Sequence, residues 1–196
     1  SWPIAWCREP DMAQRVAVIN VVGLTRAMLG AHTPRMTGLA SEGQVVDLDP
    51  PFPAVTCPVQ SSMLTGLDPC GHGIVANGWH DRHQCSTAFW QQSNELVAGE
   101  KLWEAARRSD PSITTASMFW WFNMHGTVDV AVTPRPQYLA SGRKIPDIWT
   151  NPPGLRESLQ HELGPFPLFR FWGPASDITS SRWIAQASMR VERECQ

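Results

Sequence analysis

RVAVINVVG, residues 15–23, is a near-continuous run of β-branched and apolar residues closed by a glycine. A run without polar alternation suits a strand covered on both faces, as in a parallel sheet. The expectation is a central strand over 16–22, buried by helices at 34–42 and 101–108. Outward from it, HTPRMTGLASEG (32–43) places Thr33 as N-cap, Pro34 at the first helical position and Gly43 at the stop. QVVDLDP (44–50) offers a second strand, and FPAVTCPVQSSMLTG (52–66) leads into a second helix. KLWEAARRSD (101–110) reads as a further helix and SITTASMFWW (112–121) as another apolar strand. Strand and helix alternate, so the fold class is α/β, with a mostly parallel central sheet flanked by helices.

The segment TPRPQYLASGRKIPDIWTNPP (133–153) is dense in Pro, Gly and polar residues and holds no lasting period, so it reads as a surface excursion. LRESLQHEL (155–163) returns to helical spacing, with Leu155, Leu159 and Leu163 on one face, and SSRWIAQASMRVERE (180–194) makes a final helix. Ten tryptophans are many, and several join phenylalanines in MFWWFNM (118–124) and FPLFRFWGP (166–174). They are read as packing, with a base-stacking groove as the alternative.

At 196 residues the chain suits one domain, and the whole of 1–196 is taken as such. A net charge of −2 with 17% charged residues gives neither a nucleic-acid surface nor a polyelectrolyte. No apolar run approaches the roughly 20 residues of a membrane span. The five cysteines, at 7, 57, 70, 85 and 195, form neither a CxxC pair nor a disulfide framework, which points to reduced thiols in the cytoplasm. The start, SWPIAWCREP, has neither an initiator Met nor the order of a signal peptide, so a secreted or periplasmic protein with its leader upstream stays an alternative.

Chemistry concentrates in the second helix, the one that FPAVTCPVQSSMLTG (52–66) leads into. Pro58 fits the first turn because its missing N–H would go unused there, which leaves Thr56 and Cys57 at the helix mouth. Free N–H groups and the positive end of the helix dipole at such a mouth favour an anion such as phosphate. A cap or a packing residue explains a Thr or a Cys there equally well. WHDRHQC (79–85) sets His80 and His83 three apart with Cys85 near, a ligand-like spacing without a second cluster. His72, before a glycine, reads as a loop-closing hydrogen-bonding residue.

The longer string FPAVTCPVQSSMLTGLDPCGHGIVANGWHDR (52–82), with VVGLT (21–25) and HTPRMTGLASEG upstream, resembles the alkaline phosphatase superfamily, most closely its nucleotide pyrophosphatase/phosphodiesterase branch. The branch pattern FPTxTxPNxxxxxTGxxPxxHGIxxN is matched at Phe52, Pro53, Thr56, Pro58, Thr65, Gly66, Pro69, His72, Gly73, Ile74 and Asn77. The likeness continues through FPLFRFWGP and SSRWIA. It implies an alkaline phosphatase-like fold and hydrolysis of phosphoric diesters or pyrophosphates, with a small phosphate ester or nucleotide as substrate. Thr56 is implied as nucleophile and as the residue held by a divalent metal, zinc in family terms, with Asn77 donating to the phosphoryl oxygen.

Two departures stand against that. Where the branch has a metal-binding Asp before the first glycine, this chain has Val22; Asn20, Asp47 and Asp49 are the nearby oxygen donors. The remaining ligands of family members, an Asp with a following His, an Asp-His pair and a late His, come from a C-terminal half about as long again, so the expectation is an N-terminal portion whose isolated chain is inactive. The competing readings are a metal-deficient binding protein on the same fold, and a cysteine enzyme using Cys57 with a thiol activated by His32 or His72.

Overall fold

The structure, a computed structural model, describes residues 15–194. Cys7 and Cys195 fall outside the described residues. The chain divides into two units, one ending at Asp49 and the other beginning at Pro50.

In the first unit the helix is where the sequence puts it: α1 spans Pro34–Glu42 between Thr33 and Gly43. The Thr33 hydroxyl turns away from the helix, accepting from the Gly30 N–H at 3.0 Å and donating to the Met28 carbonyl at 2.7 Å. The expected central strand is overturned. Residues 15–21 form no ladder, a turn follows at Val22 and Gly23, and Val16 and Ile19 are 83% and 79% exposed. QVVDLDP is likewise not a strand: the Val45 carbonyl accepts from Arg26 at 3.1 Å, and Asp47 pairs with Arg26 at 3.3 Å. A β-branched run makes an extended backbone cheap, but a strand exists only where a second edge satisfies its N–H and C=O groups. Among the described residues of this unit no strand offers that edge, and α1 buries none of its residues.

The second unit is built on three strands: β3 (Ala116–Met118), β4 (Val130–Pro134) and β7 (Ile148–Asn151). They lie in the order β3-β4-β7. β3 and β4 are parallel, with Ser117 opposite Ala131, whereas β4 and β7 are antiparallel, with Val132 opposite Thr150. The class is α/β with small mixed sheets; a mostly parallel central sheet is not formed among the described residues.

Helices α4 (Leu102–Ser109), α5 (Gly154–Leu163) and α6 (Ile178–Glu194) follow the sequence pattern. Leu159 is fully buried in a core with Val132, Ile148, Phe166, Leu168, Trp183 and Ala187, and Leu155 and Leu163 flank it. The 133–153 segment is a correction. Its middle, the β5 (Gln137–Tyr138) and β6 (Lys144–Ile145) hairpin, lies at the surface, while β7 enters the core with Ile148 and Thr150 buried. A strand of four residues is too short to show a period. The entry is locked by the buried Asp147 carboxylate, which accepts from Arg156 at 2.8 and 3.0 Å, Gln137 at 2.9 Å, Gln160 at 3.0 Å and the Ile148 N–H at 2.8 Å. Among the described residues no helix is long and apolar enough to cross a membrane.

Candidate active site

Helix α2 (Thr56–Thr65) opens the site. Val55 is its N-cap, Pro58 sits in the first turn, and Gly66 ends it in the left-handed conformation at φ 70°, its N–H on the Ser62 carbonyl at 2.8 Å. An α-helix begins with N–H groups that have no partner inside it. Pro58 has none to offer, and the Cys57 N–H donates to Asn77 Oδ1 at 2.9 Å. Asn77 thus caps, from twenty residues away, the helix that begins with Thr56. Thr56 is half-buried, and among the described residues its hydroxyl and its N–H meet no hydrogen-bond partner.

That single bond also decides which way the Asn77 amide points. With Oδ1 on the Cys57 N–H, Nδ2 is the end left to donate, and nothing among the described residues accepts from it. The main chain of Asn77 is held from the other side, its carbonyl accepting the Trp90 N–H at 2.9 Å. The next residue, Gly78, opens the hairpin of β1 (Gly78–Asp81) and β2 (Ser86–Phe89) as a strand residue and not as a turn. A Cβ at Gly78 would run into the Phe89 ring and lie 2.9 Å from the Ala88 carbonyl, so the close approach of the two strands requires glycine.

Behind the mouth lies a small core of Cys57, Ile74, Val97, Trp121 and Phe122. Burial pushes the Cys57 thiol up to about 12, so it stays protonated at neutral pH. The cysteine-enzyme reading is overturned, since an attacking sulfur must be a thiolate. The Gln60 side-chain carbonyl accepts the Trp121 N–H at 2.7 Å and ties the aromatic segment to α2. Trp121 packs edge-on to Trp90 at 5.1 Å, and Trp172 lies 5.6 Å from Trp90 and 5.8 Å from Trp121. Other rings of the two aromatic clusters, Phe119 and Phe166, join Trp183 in the main core. Sequence reasoning missed Gln60, Ser62 and Trp90, because nothing in their local spacing names partners so far along the chain.

His72, at the end of the short helix α3 (Pro69–His72), is fully buried. Its Nδ1 accepts the Ile74 N–H at 3.1 Å, so the neutral ring carries its hydrogen on Nε2, 3.0 Å from Ser62 Oγ. Burial holds its pKa below the ordinary 6.5, with the Asp68 carboxylate pulling the other way. The unfolded chain therefore takes up a proton near 6.5 that the folded chain refuses, and stability rises with pH through this interval. Urea midpoints should fall as pH drops from 7.5 to 5.5, and His72→Gln should flatten that fall. An unchanged slope in His72→Gln would assign the pH dependence to other groups.

His80 and His83 sit on the exposed hairpin, His80 Nδ1 facing Thr87 Oγ1 at 3.1 Å and the His83 N–H on Asp81 Oδ1 at 2.8 Å. Among the described residues no three of His, Cys, Asp and Glu gather as a divalent ion would need. Thr56 brings one neutral oxygen, and the Asn77 oxygen already takes a hydrogen bond. These donors do not fit a metal ion, which wants several oxygen, nitrogen or sulfur ligands, most of them charged.

Compared with known families, residues 16–194 match the family model described as type I phosphodiesterase / nucleotide pyrophosphatase. No curated protein and no solved structure matches the chain.

Proposed function

Since the chain belongs to the type I phosphodiesterase / nucleotide pyrophosphatase family, we propose that it carries the nucleophilic half of a site that hydrolyses phosphoric diesters or pyrophosphates, with Thr56 as nucleophile and Asn77 as oxyanion donor. The observation that supports this is the bond from the Cys57 N–H to Asn77 Oδ1, which leaves the Asn77 Nδ2 as its free donor and seats Asn77 on the residue next to Thr56, whose hydroxyl has no partner among the described residues. A phosphoryl group at the mouth of α2 meets the Thr56 N–H, the Asn77 Nδ2 donor and the field of the helix end. Thr56 Oγ1 forms a bond to phosphorus as the bond to the leaving oxygen breaks, and its proton leaves to solvent. Water then cleaves the phosphothreonine and restores the hydroxyl. Asn77 gives its stronger hydrogen bond in the transition state, as charge builds on the phosphoryl oxygen.

The family acts on small phosphate esters or nucleotides. The divalent ion, zinc, implied by the resemblance is part of the proposal only as a group whose ligands lie beyond the donors placed at Thr56, and no step above passes through it. For the same reason we propose that these 196 residues by themselves do not turn over substrate. The parallel β3–β4 pair is proposed as part of an alkaline phosphatase-like central sheet.

Asn77→Asp tests the pair. A carboxylate keeps the acceptor for the Cys57 N–H and suits the helix N-terminus, so stability should be unchanged or slightly raised. The same change removes the amide donor and sets negative charge against phosphate, so turnover by a metal-complete form should drop by about 100- to 1000-fold, the range for losing one oxyanion donor. Full turnover in Asn77→Asp, with the urea midpoint unmoved, would remove Asn77 from the mechanism.

A further inference from the structure

We infer that His72 is a positioning residue, which sets Asn77 on the mouth of α2 by pinning the 72–77 loop to Ser62. The chain from His72 to Asn77 touches α2 at three levels: His72 Nε2 at Ser62 Oγ, the Ile74 side chain in the small core with Cys57, and Asn77 Oδ1 on the Cys57 N–H. Residues 57 and 62 are roughly 7.5 Å apart along a helix rising about 1.5 Å per residue. Five residues of free chain reach up to about 17 Å, so the loop has more than twice the length it needs. Length alone therefore does not place Asn77. What removes the slack is the imidazole, which closes the turn locally by taking the Ile74 N–H and fastens the loop to the helix by donating to Ser62. Gly73 makes the turn possible at φ 80°, where a side chain is strained. The His72 carbonyl also accepts the Ala98 N–H at 3.0 Å, so both ends of the residue are anchored.

The pin has a direct reporter. The Cys57 amide is held by Asn77 Oδ1, so its hydrogen exchange follows the seating of Asn77. Ser62→Ala removes the His72 partner, keeps the helix, and leaves a protein expected to fold, since alanine is the best helix former. At pH 7.5 the Cys57 amide should exchange about tenfold faster in Ser62→Ala, measured relative to the amides of β4, because a net hydrogen bond is worth about a factor of ten. Ser62→Thr, which keeps a hydroxyl, should restore the slow rate. A Cys57 amide that speeds up no more than those of β4 in Ser62→Ala would overturn the inference, as would Ser62→Thr behaving like Ser62→Ala. The chemical meaning of the pin rests on the hydrolase reading, but the exchange measurement does not. Failure of that reading would show as full turnover in a Thr56 variant, whereas failure of the pin would show as an undisturbed Cys57 amide.

Discussion

Thr56→Ala is expected to abolish hydrolysis of p-nitrophenyl phosphodiesters by a metal-complete form of this protein, by at least about a thousandfold, while leaving the free energy of unfolding within about 0.5 kcal/mol of wild type. The asymmetry follows from where the side chain sits. Thr56 is half-buried and its hydroxyl has no partner among the described residues, so no folded-state hydrogen bond is lost with it. The helix keeps its cap, because the Cys57 N–H is held by Asn77 and not by Thr56. The chemistry, by contrast, loses the only atom proposed to bond to phosphorus. Thr56→Ser keeps a hydroxyl and should retain measurable turnover, and phosphate trapped on residue 56 at low pH should vanish in Thr56→Ala. Trapping at another residue, or turnover surviving in Thr56→Ala, would assign the nucleophile elsewhere.

The 196-residue chain supplied with zinc or manganese should, on its own, give no turnover above buffer. A threonine hydroxyl near neutral pH is a poor nucleophile, and a Lewis acid contributes several kcal/mol to stabilising a transferring phosphoryl group. Each 1.4 kcal/mol is about tenfold in rate, so a site lacking that contribution falls below detection. The described residues bring no group of three or more His, Cys, Asp or Glu together. Metal-stimulated turnover by this chain, lost in Thr56→Ala, would show that ligands reach Thr56 from residues not gathered there in this structure. If a form carrying the further family ligands were also inert, Val22 would be the first suspect, and Val22→Asp is the substitution expected to restore activity.

What could be read ahead of the structure was whatever depends on neighbours in sequence. Pro58 and Gly66 bracket α2, Thr33 and Gly43 bracket α1, and the leucine spacing of α5 survives because local geometry alone dictates it. His72 as a loop closer was legible because a histidine before glycine sits where the loop turns, and its Nδ1 bond to Ile74 spans two residues. The strand over 16–22 was not, because composition reports what a segment tolerates and not which edge pairs with it. β7 was hidden by its four-residue length, and the Asp147 hub by its partners' distance along the chain. For the site, the motif named Thr56 and Asn77, but the orientation of the Asn77 amide is fixed by a backbone N–H twenty residues away, which no spacing rule reveals.

The desolvated thiol of Cys57 has a consequence for chemoselectivity. Sulfur is the more reactive nucleophile of the two neighbours at the helix mouth, yet with its proton held up to about 12 and only 1% of the residue exposed, it is withdrawn from competition. An electrophilic phosphonate entering the mouth of α2 therefore meets oxygen alone. The adduct would be an oxygen-linked phosphonate ester and not a sulfur-linked phosphonothiolate, inert to added thiols, so resistance of a labelled protein to thiol treatment identifies the hydroxyl side of the Thr56–Cys57 pair as the labelled one.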